Sequence, residues 1–113
     1  MPALTIYALK SCDSCKKAIK ALSAAGHELT VIDVRADGVP ADQLAALLAT
    51  HGDGVLVNRK STTWRGLDAA AQAGDPLALL QEHPTLMKRP VIRDGETSHV
   101  GWGKDVQAAF GLL

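Results

Sequence analysis

Two short apolar runs on either side of an amphipathic helix constrain this chain more than any other feature. Leu4-Thr5-Ile6-Tyr7-Ala8-Leu9 is apolar and partly β-branched, which predicts a buried strand. Cys15, Ala18, Ile19 and Leu22 then follow at i, i+3, i+4, i+7, one apolar face of a helix that starts near Asp13 and stops at Gly26. Leu29-Thr30-Val31-Ile32-Asp33-Val34 predicts a second buried strand. Strand, helix, strand over so few residues is a βαβ unit, whose strands must be parallel.

The end of the chain returns to strands. Pro90-Val91-Ile92-Arg93, Asp94-Gly95 and Thr97 to Val100 predict a hairpin turning on Asp-Gly, and a last helix over about 104–110 carries Val106, Ala109 and Phe110 on one face. Between the two halves, residues of about 38–84 predict a helical insert. Pro40 suits a first helical turn, with Leu44, Leu47 and Leu48 as its apolar stripe before Gly52. Val55 to Asn58 reads as extended or loop. Thr62 or Thr63 caps a short helix with Trp64 and Leu67, and Asp75-Pro76 opens another that carries Leu77, Leu79 and Leu80 and ends at His83-Pro84. The order βαβ, helical insert, ββα predicts a single α/β domain over 1–113 with a mixed sheet.

Composition narrows the classes. With 113 residues, 47% of them hydrophobic, the chain has enough for one core and too little for two. Twelve basic and twelve acidic residues cancel, so bulk charge points to neither nucleic acid nor a membrane surface. There is no long apolar run, and Met1-Pro2-Ala3-Leu4 lacks the pattern of a signal peptide, so the cytoplasm is the expected compartment. Thiols are kept reduced there, and a close cysteine pair in that setting is reactive or metal-binding rather than a structural staple.

That pair is Cys12-Asp13-Ser14-Cys15, at the junction of the first strand and first helix. A helix N-terminus offers unpaired N–H groups and the positive end of the dipole, and both favour thiolate over thiol. Lys10, Lys16 and Lys17 add positive charge nearby and Asp13 opposes it. Cys12, at the helix start, is the expected exposed and attacking thiol. Cys15, one turn on, is either a resolving thiol or a small core side chain. Zinc would need four ligands, and His27, His51, His83 and His99 are scattered without metal spacing, so no metal site and no bound cofactor are expected. None of these histidines is given a role.

Ile6-Tyr7, Cys12, Leu56-Val57-Asn58-Arg59, Thr62-Thr63-Trp64-Arg65-Gly66-Leu67-Asp68 and Leu86-Met87-Lys88-Arg89-Pro90-Val91, in that order, resemble the arsenate reductase (ArsC)-like family. Lys10-Ser11-Cys12-Asp13 and the tryptophan segment look most like its YffB branch, a sibling of the redox-sensing Spx regulators. The resemblance implies a thioredoxin-like fold, a mixed four-stranded sheet with a helical insert. It places the nucleophile on Cys12, substrate-binding arginines on Arg59 and Arg89, and a cis proline on Pro90, whose backbone edge would lie beside the cysteine. Arginine suits such positions because its fork binds oxyanions bidentately and stays charged; without the resemblance, both would read as surface charges. Trp64 reads as core packing more than as a ligand platform.

Two departures separate the chain from arsenate reduction. The arsenate reductases' histidine four residues before the cysteine is Ala8 here, and their third arginine falls near Gly101. Losing one charge-assisted contact costs about 1.5–3 kcal/mol, tenfold to over a hundredfold in affinity. The resemblance therefore implies a thiol-dependent reductase with Cys12 and Cys15 as its catalytic pair and Lys10, Arg59, Arg89 and Pro90 at its substrate site. Glutathione is the expected reductant, a small thiol or oxyanion the substrate, and arsenate a poor one. The other reading is a regulator resembling Spx that contacts the RNA polymerase α subunit. Cys15 favours it, while the Thr-Thr-Trp-Arg segment and the short stretch after the last helix speak against it.

Overall fold

The computed structural model describes residues 3–113; Met1 and Pro2, on which part of the signal-peptide reading rests, lie outside the described residues. The chain divides into two compact units, one of residues 3–33 with 89–113, the other of 34–88. Each is described by itself.

The first unit is built on a four-stranded mixed sheet in the order β2-β1-β3-β4. Strand β1 (Ala3–Ala8) and β2 (Glu28–Asp33) are parallel, joined by helix α1 (Asp13–Ala24), as the apolar periodicity requires. β3 (Val91–Asp94) runs antiparallel to β1, with Ile6 opposite Ile92, and β4 (Thr97–Val100) antiparallel to β3. Leu4, Ile6 and Ala8 alternate along β1 onto one face, where they meet Cys15 and Leu22 of α1, Ile92 of β3 and Val106 of helix α7 (Lys104–Ala109). Ile19, Leu29, Trp102, Phe110 and Leu112 pack around that cluster. α1 ends as expected: Gly26 takes φ +95°, and the backbone N–H groups of Gly26 and His27 return to the carbonyls of Ser23 and Leu22.

Three expectations need correction here. β2 is not a buried strand: it pairs with β1 alone, and Val31 is 48% exposed. β-Branched residues favour extended backbone at a sheet edge as well as in its centre, so an apolar run does not tell the two apart. The hairpin does not turn on Asp94-Gly95. Asp94 pairs with Thr97, which leaves Gly95 and Glu96 as the loop. Gly95 alone has positive φ (+60°), the type II′ pattern with glycine first. Ala109 is exposed rather than part of the apolar face of α7.

The second unit is helical: α2 (Ala41–His51), α3 (Asp53–Leu56), α4 (Thr62–Arg65), α5 (Ala69–Gln72), α6 (Pro76–Glu82) and a 3₁₀ turn at Pro84–Leu86. α2 packs on α3 and α6, and Leu44, Leu47, Leu56, Leu79, Leu80, Leu86 and Met87 are buried. Pro40 is the cap of α2 rather than its first turn. Residues 55–58 are not extended as a stretch: α3 takes Val55 and Leu56, and only Val57 bridges to Met87. Ser61, not Thr62 or Thr63, caps α4, its hydroxyl accepting from the Trp64 N–H at 3.1 Å. Leu67 lies beyond α4, and α5, which Asp68 caps, has too short an apolar pattern to stand out in the sequence.

Asp75 opens α6 as expected, its carboxylate accepting from the Ala78 N–H at 3.1 Å with Pro76 in the first turn. Asp75→Ala is expected to cost about 1 kcal/mol by losing that cap, read as a lower midpoint in urea unfolding. An unchanged midpoint would mean that α6 is held by Leu79 and Leu80 alone.

Candidate active site

A turn between β1 and α1, closed by the Cys12 N–H on the Leu9 carbonyl at 3.0 Å, delivers Cys12 as the residue capping α1. The chain is extended at Cys12 (φ −86°, ψ 117°) and becomes helical at Asp13, because the Cys12 carbonyl already accepts from Lys16. The sulfur therefore sits where the first amides of α1 have no helical partner. Cys12 is half-buried and Cys15, a turn later on the core face, is 1% exposed; both are free thiols.

The two sulfurs have opposite electrostatics. Burial pushes the Cys12 thiol up, but the contacts from the Cys15 amide, the Cys15 thiol and the Arg89 guanidinium outweigh it and hold Cys12 below the ordinary thiol range. The Cys15 amide acts without closing a cap hydrogen bond of full geometry, so its effect is that of an oriented dipole. Burial pushes the Cys15 thiol up to about 12; the Leu9 backbone and Arg89 pull the other way, and its S–H, donated to the Cys12 sulfur, is further held by the negative charge there.

Arg89 is therefore the cation that acts on Cys12. The groups that lower its pKa are Cys15 and Arg89, and the lysines expected to contribute are not among them. Lys10 lies exposed on the turn before Cys12. Arg89 is half-buried and is followed through a cis bond by Pro90, which is fully buried; the Pro90 carbonyl accepts from the Gly101 N–H at 2.8 Å. Gly101 is itself buried with φ +87°. Cys12, Cys15, Arg89 and Pro90 thus belong to one unit.

Arg59 belongs to the other unit. Its Nη2 donates to the Asp53 carboxylate at 2.9 Å and its Nη1 to the Asp53 carbonyl at 3.3 Å, while its guanidinium lies 5.2 Å from the centre of the Trp64 ring. Trp64 is half-buried, so it serves as a platform for Arg59 rather than as core. Asp53 escaped the sequence reading: it stands six residues before Arg59, a spacing that no helix or strand period brings together. Among the described residues no three His, Cys, Asp or Glu side chains cluster as a metal site would require, and no helix is long and apolar enough to cross a membrane.

A helix-start thiol beside an arginine, on a four-stranded mixed sheet with helices, is an α/β thioredoxin-like architecture with a thiol site. Residues 7–110 match the ArsC family, and the chain belongs to it. It is 39% identical to an uncharacterized protein of Haemophilus influenzae, over 95% of this chain and 98% of that one. It is 29% identical to the global transcriptional regulator Spx 2 of Lactococcus lactis, over 95% of this chain and 85% of the relative. Among solved structures, the YffB protein matches with a TM-score of 0.87 at 33% identity, covering 94% of this chain and 96% of that one.

Proposed function

We propose that the chain is a glutathione-dependent thiol reductase of the cytoplasm, with Cys12 as its nucleophile. The observation that supports this most is the split between the two thiols: Cys12 held toward thiolate, and Cys15 buried beside it and pushed up to about 12. Such a pair has one sulfur ready to attack and one that stays protonated until it is called on. In the first step the Cys12 thiolate attacks the glutathione sulfur of a mixed disulfide. The old S–S bond breaks, a Cys12–glutathione disulfide forms, and the substrate leaves as a thiolate that takes up a proton. A free glutathione then attacks that disulfide and leaves as oxidised glutathione together with the one the substrate brought, which frees Cys12; if Cys15 attacks instead, after losing its proton, that glutathione leaves as a thiol and two further glutathiones reduce the Cys12–Cys15 disulfide.

Arg89 would hold a carboxylate or other oxyanion of the substrate near the sulfur while keeping its own charge. Pro90 and Lys10 flank that site in sequence, and the family resemblance gives Arg59 a substrate-binding part as well. Arsenate is expected to be a poor substrate, since by the resemblance the arsenate reductases' histidine falls on Ala8 and their third arginine near Gly101.

The test is intact mass after exposing the reduced chain to oxidised glutathione. One glutathione adduct that requires Cys12 and accumulates most in Cys15→Ser is expected. No adduct in either chain at neutral pH would overturn the reading.

A second reading, a redox-sensing regulator resembling Spx that binds the RNA polymerase α subunit, has one observation in its favour. The Cys12 and Cys15 side chains interact directly, each shifting the titration of the other, as two thiols placed to pair would. Loss of two hydrogens without any adduct, together with capture of the α subunit by the oxidised chain alone, would favour this reading over the enzyme.

A further inference from the structure

The charges of this chain cancel overall, but they are not evenly spread. Lys10, on the turn before Cys12, and Lys16, Lys17 and Lys20, on α1, are all exposed, and Asp13 is the only acid over residues 9–25. Lys16 and Lys20 stand at i, i+4 and Lys17 and Lys20 at i, i+3, so the three share the outward face of α1, opposite the buried Cys15, Ala18 and Leu22. Nothing inside the molecule accounts for them. Among the described residues no carboxylate lies within ion-pair distance of any of the four lysines. They are not among the groups that lower the Cys12 pKa. Nor do they steady the helix: its dipole favours cations in the last turn, which carries none, and like charges at i, i+4 repel.

We propose that the outward face of α1 is a docking surface for an acidic protein segment, and that the mixed disulfide attacked by Cys12 is carried on a protein with Asp or Glu near its cysteine. The second clause rests on the reductase reading; the docking does not. Cys12 caps the same helix that carries the lysines, and Lys20 lies about 12 Å further along its axis. That is the reach of about four extended residues, so a segment whose cysteine meets Cys12 can lay its next acids along Lys16, Lys17 and Lys20. A small disulfide with one anionic group needs one cation, and Arg89 already stands at the sulfur; three more in line suit a chain. The chemistry favours protein over nucleic acid. The cations on the face are lysines, point charges without the guanidinium fork that grips phosphates bidentately. Asp13 heads the face and would repel a phosphate backbone, and a thiol at its end calls for a partner that carries sulfur. Opposite charge steers such a partner and sets its register more than it adds affinity.

Two glutathionylated peptides of equal length, one with glutamates and one with lysines around the cysteine, would be offered to the full chain with free glutathione. kcat/KM is expected to favour the glutamate peptide about tenfold at low salt, with the difference in KM, and to approach parity in about 1 M salt, where charges are screened within about 3 Å. Lys16→Gln, Lys17→Gln and Lys20→Gln together are expected to abolish the preference and to leave the rate on a peptide with uncharged flanks unchanged. Equal kcat/KM for the two charged peptides, or a preference that survives the triple substitution, would overturn the proposal. Docking is read separately, by titrating the glutamate peptide with serine in place of its cysteine into the chain carrying Cys12→Ser and Cys15→Ser. Amide shifts over residues 13–24, lost in the triple variant, are expected, and their absence defeats the proposal. Turnover of both peptides at one rate defeats this inference alone. Docking on α1 with turnover of neither peptide defeats the reductase reading, and with it the substrate clause, and leaves the docking surface standing. A DNA oligonucleotide that shifts the same amides as strongly, with the same loss in the triple variant, would overturn the protein assignment in favour of nucleic acid.

Discussion

Arg89→Gln is expected to slow the alkylation of Cys12 by iodoacetamide at neutral pH about tenfold, the effect of losing a charge-assisted hydrogen bond worth about 1.5 kcal/mol to the thiolate. Burial works against the Cys12 thiolate, and Arg89 is the one full positive charge that answers it; the Cys15 amide and thiol remain but carry no net charge. The pH profile gives the sign. Because Cys12 titrates below its ordinary thiol value, its ionisation stabilises the fold, fully above that ordinary value and less as pH falls through the lowered one. Cys15, pushed up to about 12, does the reverse: stability falls as pH rises from about 8.5 toward 12, because the unfolded chain releases a proton that the fold retains. Arg89→Gln should move the alkylation midpoint of Cys12 upward and shrink the first of these slopes. A variant that alkylates at the parent rate would show that the Cys15 amide and thiol suffice to activate the sulfur.

Ile92→Ala is expected to cost about 2–5 kcal/mol in urea unfolding. Ile92 is fully buried on the central strand β3, opposite Ile6 on one side and His99 on the other, and it closes the cluster of Leu4, Ile6, Cys15, Leu22 and Val106. Removing its side chain leaves a cavity that four-sided packing cannot collapse into cheaply. Domains of this size have only about 5–15 kcal/mol in hand, so the loss is a substantial share of the total. Cys15 shares that cluster, so it should become accessible to thiol reagents before the chain unfolds. A loss under about 1 kcal/mol would mean that the core is not closed at this point.

The fold was legible where one physical signal dominates. The spacing of Cys15, Ala18 and Leu22 set α1, and Asp75-Pro76 marked the start of α6, because caps and apolar stripes are local. β2 was placed correctly as a parallel strand and wrongly as a buried one, since burial depends on neighbours that Val31 does not name. The hairpin was found but its turn slipped by one residue: Asp94-Gly95 looks like the loop until the pairing of Asp94 with Thr97 is known. At the thiol site, Cys12 was legible from its place before a helix. That Arg89 rather than Lys10, Lys16 or Lys17 is the cation acting on it is a long-range fact that sequence distance hides. Asp53 and the stacking of Arg59 on Trp64 were invisible for another reason: they are local, but made by a loop whose spacing follows neither the helix nor the strand period.

The pairing of Ile6 with Ile92 has a bearing on the order of events at the ribosome. Residues 34–88 are contiguous and can close on themselves as they emerge, whereas β1 must wait for β3, which is made only after them. Cys12 is synthesised 77 residues ahead of Arg89. The thiol therefore emerges without its cation and gains it only once β3 has paired with β1, so the nascent chain carries an ordinary sulfur until the sheet closes.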